Sequence, residues 1–176
     1  MEHWDLYDKN RIKMGKPLRR GKRLPKGRYR LVVHVCIFNS KDEMLIQQRQ
    51  PFDHSWGNLW DFSAGGSASS GNTSQKAIER ELYEELGIRL SFKGKRPSLT
   101  VPFEELFDDI YIMEKEIKLE ELKLDPKEVQ DVKWASLSEI LKMIDKGTFI
   151  PYHKSLIELL FAMRKHPGTH TRTDRF

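Results

Sequence analysis

Residues Gly66 to Ile88 read Gly-Ser-Ala-Ser-Ser-Gly-Asn-Thr-Ser-Gln-Lys-Ala-Ile-Glu-Arg-Glu-Leu-Tyr-Glu-Glu-Leu-Gly-Ile: a glycine-rich loop, an acidic helix and a glycine stop. On helical geometry Glu81, Glu84 and Glu85 stand at i, i+3 and i+4 and share one face. Ile78, Leu82 and Leu86 form a neighbouring apolar stripe that anchors the helix to a core. Three carboxylates within an arc of roughly 100° repel one another. A solvated helix face tolerates that at small cost. A hard cation such as Mg²⁺ turns it into a binding site, because it takes oxygen ligands and brings phosphate with it. The helix ends agree with this reading. Asn72 is placed to cap the N-terminus, with Gln75 completing a capping box. Gly87 suits the left-handed position after the last turn. Arg80 lies four residues before Glu84, within reach of its carboxylate.

Outward from this stretch, strand and helix patterns alternate. His3 to Tyr7 and Arg11 to Met14 form a small hairpin, and Gly15 to Lys26, broken by glycines and prolines, reads as a loop. Tyr29 to Phe38 is a buried β-branched strand that pairs with Met44 to Arg49. Leu59 to Ser63 is a short strand delivering the chain into the glycine loop. Beyond the helix, Leu90–Lys95, Leu99–Phe103, Phe107–Ile117 and Val129–Ala135 are strand candidates. Helices follow from Ser136 or Ser138 to about Lys146 and from His153 to Lys165. The order is α+β. It divides into a hairpin and basic arm at 1–28, a main domain at 29–165 and a polar tail at 166–176, read as disordered.

At 176 residues the chain suits one domain with a sizeable core. No apolar run is long enough to span a bilayer. The single cysteine, Cys36, excludes an intrachain disulfide and a cysteine zinc cluster, and fits a reducing cytoplasm. Its place on a core strand makes it a small apolar residue. The net charge of +5 is uneven: basic residues crowd Lys9 to Arg30, and Glu104 to Asp131 is acid-rich. The basic arm has few interleaved aromatics, which argues against nucleic acid; it is a solvated flap or a source of cations for an anionic substrate.

The whole arrangement resembles the Nudix box: Gly, five residues, Glu, seven residues, then Arg-Glu-U-x-Glu-Glu-x-Gly-U, with U aliphatic. Gly66 fits the first position. Arg80, Glu81, Leu82, Glu84, Glu85, Gly87 and Ile88 fit the entire second half. One position departs: Asn72 stands where the family has glutamate. The resemblance implies an α/β/α sandwich around a mixed sheet. It implies Mg²⁺, or Mn²⁺ in its place, held by Glu81, Glu84 and Glu85 with the Gly66 carbonyl as a further ligand. The implied reaction is attack of water on a small-molecule diphosphate. The general base is then a box glutamate or an acid outside the box: Asp109, Asp108 or Glu105. Arg49, Arg80 and Trp60 are the candidate substrate-binding residues. For Asp108 and Asp109 the plain alternative is a solvated strand edge; for Trp56 and Trp60 it is core packing. His34 reads as a satisfied core histidine, and His54 as a loop residue near the tryptophans. A homodimer is a further expectation, because similar proteins are often dimers.

The Val-His-Val-Cys-Ile-Phe-Asn strand, Leu-Trp-Asp-Phe-Ser and Val-Lys-Trp-Ala-Ser also resemble the branch that contains isopentenyl-diphosphate isomerase and its hydrolytic relatives. Aligned on that branch, Ala64 stands at the catalytic cysteine position and Gly66 at a metal-binding histidine position. An alanine exchanges no proton, so hydrolysis of a nucleoside or organic diphosphate, isoprenoid diphosphates included, is favoured over isomerisation. The alternative outside enzymology is a weakened module that binds nucleotide or RNA without cleaving it, suggested by Asn72 and the basic arm. The three facing carboxylates argue against it.

Overall fold

A computed structural model describes residues 2–51, 56–165 and 167–171. The strands are β1 (His3–Tyr7), β2 (Lys13–Arg19), β3 (Arg30–Phe38), β4 (Glu43–Arg49), β5 (Trp60–Asp61), β6 (Ala64–Ser67), β7 (Leu99–Phe103), β8 (Leu106–Glu114) and β9 (Val129–Ser136). The helices are α1 (Ser74–Leu86), α2 (Leu137–Asp145) and α3 (Lys154–Lys165).

β3 is apolar on both faces because both faces are covered. Leu31, Val33, Val35 and Ile37 meet α1 through Ile78, Leu82 and Leu86. Cys36 and Phe38, with Met44, Ile46 and Ile110, meet α2 and α3 through Ile140, Ile157 and Leu160. The result is an α/β/α sandwich around a mixed sheet ordered β5-β4-β3-β8-β7, with β6 added to β3 and β9 to β4. β3 runs parallel to β8 along its whole length, from Arg30↔Leu106 to Phe38↔Glu114. β3 and β4 meet at Phe38↔Met44. Further back β3 pairs instead with β6, from Val35↔Ala64 to Val32↔Ser67. The sheet therefore opens between β3 and β4, and Ser63 closes the gap. Its hydroxyl donates to the Leu45 carbonyl (2.6 Å) and accepts from the Ile37 amide (2.8 Å). This split brings β6, and the glycine loop after it, to the centre of the sheet beneath α1.

Several local expectations need correction. Thr73, not Asn72, caps α1, its hydroxyl accepting from the Lys76 amide, while Gln75 donates to the Lys95 carbonyl. β2 runs to Arg19 through Gly15 and Pro17; a proline is tolerated because β2 is an edge strand of the two-stranded β1–β2 sheet. Residues 90–95 form no strand; Phe92 is buried there, edge-on to Tyr111 at 5.1 Å. β8 ends at Glu114. Asp108 and Asp109 are not a solvated edge: β8 lies between β3 and β7, and both acids are buried. Trp56 is half-exposed, with φ +47°, rather than core. His54 and much of the 166–176 tail lie outside the described residues. Among the described residues no helix is long and apolar enough to cross a membrane.

Candidate functional site

α1 carries the acids, and the split sheet decides their surroundings. Leu82 and Leu86 are fully buried, which turns Glu81 and Glu85 inward beside them; they are 7% and 3% exposed. The helix then ends where Gly87 takes φ +72° and its N–H reaches the Leu82 and Tyr83 carbonyls. One oxygen of Glu85 accepts from the Gln47 amide side chain on β4 (3.0 Å) and from the Gly65 N–H on β6 (3.1 Å). Glu81 lies against the Cα of Gly66. A Cβ there would sit 2.5 Å from the Glu81 carboxyl, so the box glycine is required by close approach. Glu84 faces solvent, its side chain 52% exposed.

Arg80 ties this group together. It donates to Glu81 (2.7 Å), to Glu84 (2.7 Å) and to the Ser67 carbonyl (2.9 Å). Burial raises the Glu81 pKa to about 7 against the pull of Arg80, with the Glu84 and Glu128 charges adding to the rise. Burial, then the Glu81 charge, pushes Glu85 well above the usual carboxylate range. Exposed Glu128, just before β9, acts on both buried glutamates and went unnoticed in the sequence. Its only signal was a place in the acid-rich stretch.

The donor set is carboxylate oxygen without thiol or imidazole, with two buried like charges four residues apart. That set fits a hard divalent cation. Among the described residues no three His, Cys, Asp or Glu side chains already stand together at metal-holding distances. Arg80 occupies both Glu81 and Glu84 in this arrangement.

Asp109 is not brought to these glutamates by any described contact. Thr100 donates to one of its oxygens (2.7 Å) and Arg11 pairs with the other. Asp108 points to the opposite sheet face and pairs with His34 Nδ1 at 2.8 Å. Glu105 lies at the exposed turn between β7 and β8. Arg49 approaches Asp61 at 3.5 Å, and Lys133 lies over the half-buried Trp60 ring at 4.8 Å.

The NUDIX domain profile matches residues 28–159. The chain belongs to the Nudix family. An uncharacterised Nudix hydrolase of Listeria monocytogenes is 46% identical over 170 residues, covering 97% of this chain and 99% of the relative. An isopentenyl-diphosphate isomerase of Pectobacterium atrosepticum is 28% identical over 122 residues, covering 65% of this chain and 66% of the relative. Among solved structures, a Deinococcus radiodurans protein has the same fold, with TM-score 0.70 and 24% identity, covering 90% of this chain and 97% of that one. The protein is thus a Nudix hydrolase, an enzyme of the pyrophosphohydrolase type. The isomerase reading is not favoured: Ala64 is fully buried in the Val35 pairing and Gly66 has no side chain. A non-catalytic Nudix module is not favoured either.

Proposed function

We propose that this Nudix hydrolase cleaves the phosphoanhydride bond of a nucleoside or other organic diphosphate, with Mg²⁺ or Mn²⁺ held by Glu81, Glu84 and Glu85. The observation that carries the reading is the pair of buried, like-charged carboxylates at Glu81 and Glu85, one against Gly66 and one on the Gly65 N–H. A divalent cation there neutralises phosphate oxygens and makes a bound water more acidic.

The chain's own residues do the rest. The Gln47 amide and the Gly65 N–H hold Glu85 in one orientation. Arg80 links the helix to the Ser67 carbonyl and so keeps the loop and the acids in register. Its guanidinium would also meet a substrate phosphate drawn to the cluster. The water's proton would go to a carboxylate of the α1 cluster or to Glu128, whose charge acts on both buried glutamates; Asp109 is held by Thr100 and Arg11, and no described contact brings it to them. Trp60 and Arg49 lie on the β4–β5 side, where a substrate group beyond the phosphates would rest.

The test is a divalent-cation hydrolysis screen over nucleoside diphosphate derivatives and isopentenyl and dimethylallyl diphosphates, wild type beside Glu84→Gln. Glu84 is exposed, so its substitution leaves the core untouched. Turnover of one class, reduced on the order of a thousandfold in the variant, is expected. Equal turnover in the variant removes Glu84 from the site.

A further inference from the structure

The stretch from Phe62 to Ile78 contains no acidic residue, although it holds the loop on which the site is built. The box position that carries glutamate in the family pattern is Asn72, whose side chain makes no hydrogen bond among the described residues. The loop is nevertheless bound by carboxylates. They come from the β1–β2 hairpin, outside the matched domain. Asp5 is 5% exposed. It accepts from the Ser70 hydroxyl (2.7 Å) through one oxygen and from the Gly71 N–H (2.9 Å) through the other. Lys13, on the facing strand, pairs with it at 2.7 Å. Glu2 accepts from the Ser69 hydroxyl (2.9 Å) and pairs with Arg20 at 2.5 Å. The Ser70 N–H donates to the His3 carbonyl (2.8 Å), and Trp4 bridges to Ser69. The far end of the hairpin is fastened separately, where Arg11 pairs with Asp109.

We propose that Asp5 is a positioning residue of the hydrolytic site, fixing from the hairpin a loop whose own position 72 carries no carboxylate. Asp5 holds Ser70 and Gly71, in the middle of the segment 69–72. That segment joins Gly66 and Ser67, which contact Glu81 and Arg80, to the start of α1, the helix on whose later turns both residues lie. Loosening it lets the loop and the helix shift against each other, and the buried acids lose their shared geometry. Residues behind a metal ligand set tune its affinity through such positioning. The hairpin is then part of the active site rather than an appendage to it.

This inference rests on the divalent-cation reading above, and its test separates the two. Mn²⁺ binding is measured by electron paramagnetic resonance on wild type, Asp5→Asn, Asn72→Glu and the double variant, alongside Mg²⁺-dependent turnover and amide exchange at residues 69–72. An asparagine at position 5 keeps the shape but has one accepting oxygen in place of two and loses the charge that pairs with Lys13. Asp5→Asn is expected to weaken Mn²⁺ binding about tenfold and to speed exchange in the loop. Asn72→Glu is expected to restore both in the Asp5→Asn background, and to give no gain in wild type, where two carboxylates would crowd one loop. Unchanged Mn²⁺ affinity in Asp5→Asn, or no recovery in the double variant, overturns the proposal. A wild type that binds Mn²⁺ but hydrolyses nothing in the screen overturns the substrate reading alone. Should Asp5→Asn not fold, Ser70→Ala removes one of the two bonds and is expected to weaken Mn²⁺ binding severalfold; no change there is equally decisive against it.

Discussion

Two buried polar clusters sit on either side of the Gly65 backbone, and they are built on opposite electrostatic plans. On the α1 side, Glu81 and Glu85 are buried together, with Glu85 bonded to the Gly65 N–H. On the α2–α3 side, the His34 ring fills the space where a Gly65 Cβ would be, 2.1 Å from its Cδ2. There the charges are matched. His34 pairs with Asp108, and Asp61 accepts from Tyr152 (2.9 Å) and the Phe62 amide (2.8 Å). Burial alone would lower the His34 pKa, but Asp108 beside it lifts the value to about 9. The His34 side holds its own counter-charge; the α1 side sets three carboxyl groups against the single Arg80 guanidinium. A buried cluster that is balanced stabilises a fold. One left unbalanced marks where an outside charge belongs.

The comparison predicts that neutralising one residue has opposite effects on stability in the two clusters. Glu85→Gln should cut turnover on the order of a thousandfold. It should also make the metal-free protein more stable by about 1 kcal/mol, because a glutamine oxygen can accept from Gln47 and Gly65 without the repulsion from Glu81. His34→Asn should do the reverse and destabilise by about 3 kcal/mol, since it leaves Asp108 buried without its partner. Denaturant melts of both variants check this. If both shift stability in the same direction, the distinction between the clusters is lost.

Legibility in the sequence followed the same division. The α1 acids, the apolar stripe and the Gly87 stop were readable because all three are local, set by a period of 3.6 residues. Which buried groups meet those acids was not. Gln47 reaches Glu85 across 38 residues and Asp5 reaches Gly71 across 66. Such contacts depend on the sheet splitting between β3 and β4, which no spacing announces. The cap on α1 shows the limit at short range. Asn72 and Thr73 are both good capping types in adjacent positions. In the structure Thr73 takes the extended capping conformation, and its hydroxyl accepts from the Lys76 amide. For Asp108 and Asp109 the sequence left a general base and a solvated strand edge both open; the parallel pairing of β8 with β3 buries them. The matched His34–Asp108 pair required that pairing too, so the sequence offered the histidine without its partner.

A metal titration sharpens the comparison at a smaller scale. Carboxylates must be ionised to hold a cation, so binding couples to their titration. At pH 8 saturating Mg²⁺ should raise the melting temperature of wild type by several degrees, about 2.7 kcal/mol at a hundredfold excess over the dissociation constant. At pH 5, with Glu81 protonated, the rise should shrink. Glu85→Gln should show little rise at either pH, and His34→Asn should keep it. A rise in Glu85→Gln as large as in wild type would place the cation elsewhere.

The smallest effect is the pH dependence of the metal-free fold, and the two clusters separate in their windows. Both Glu81 and His34 have pKa values raised in the folded state, so the folded chain holds the proton more tightly than the unfolded one. For each, stability is fully present below the unfolded value and declines as pH rises to the folded one. For Glu81 that window runs from 4.5 to about 7, and for His34 from 6.5 to about 9. Melting temperature followed from pH 4 to 10 should therefore fall in two overlapping steps, a lower one from the α1 acids Glu81 and Glu85, both raised by burial, and an upper one from His34. Glu81→Gln should shrink the lower step, leaving the part that burial of Glu85 contributes, and His34→Asn should remove the upper. Bound Mg²⁺ should remove the lower step alone, because a cation beside the carboxylate favours its ionised form. Loss of both steps on adding Mg²⁺ would mean that the two clusters titrate as one unit through Gly65, and that the matched pair belongs to the hydrolytic site after all.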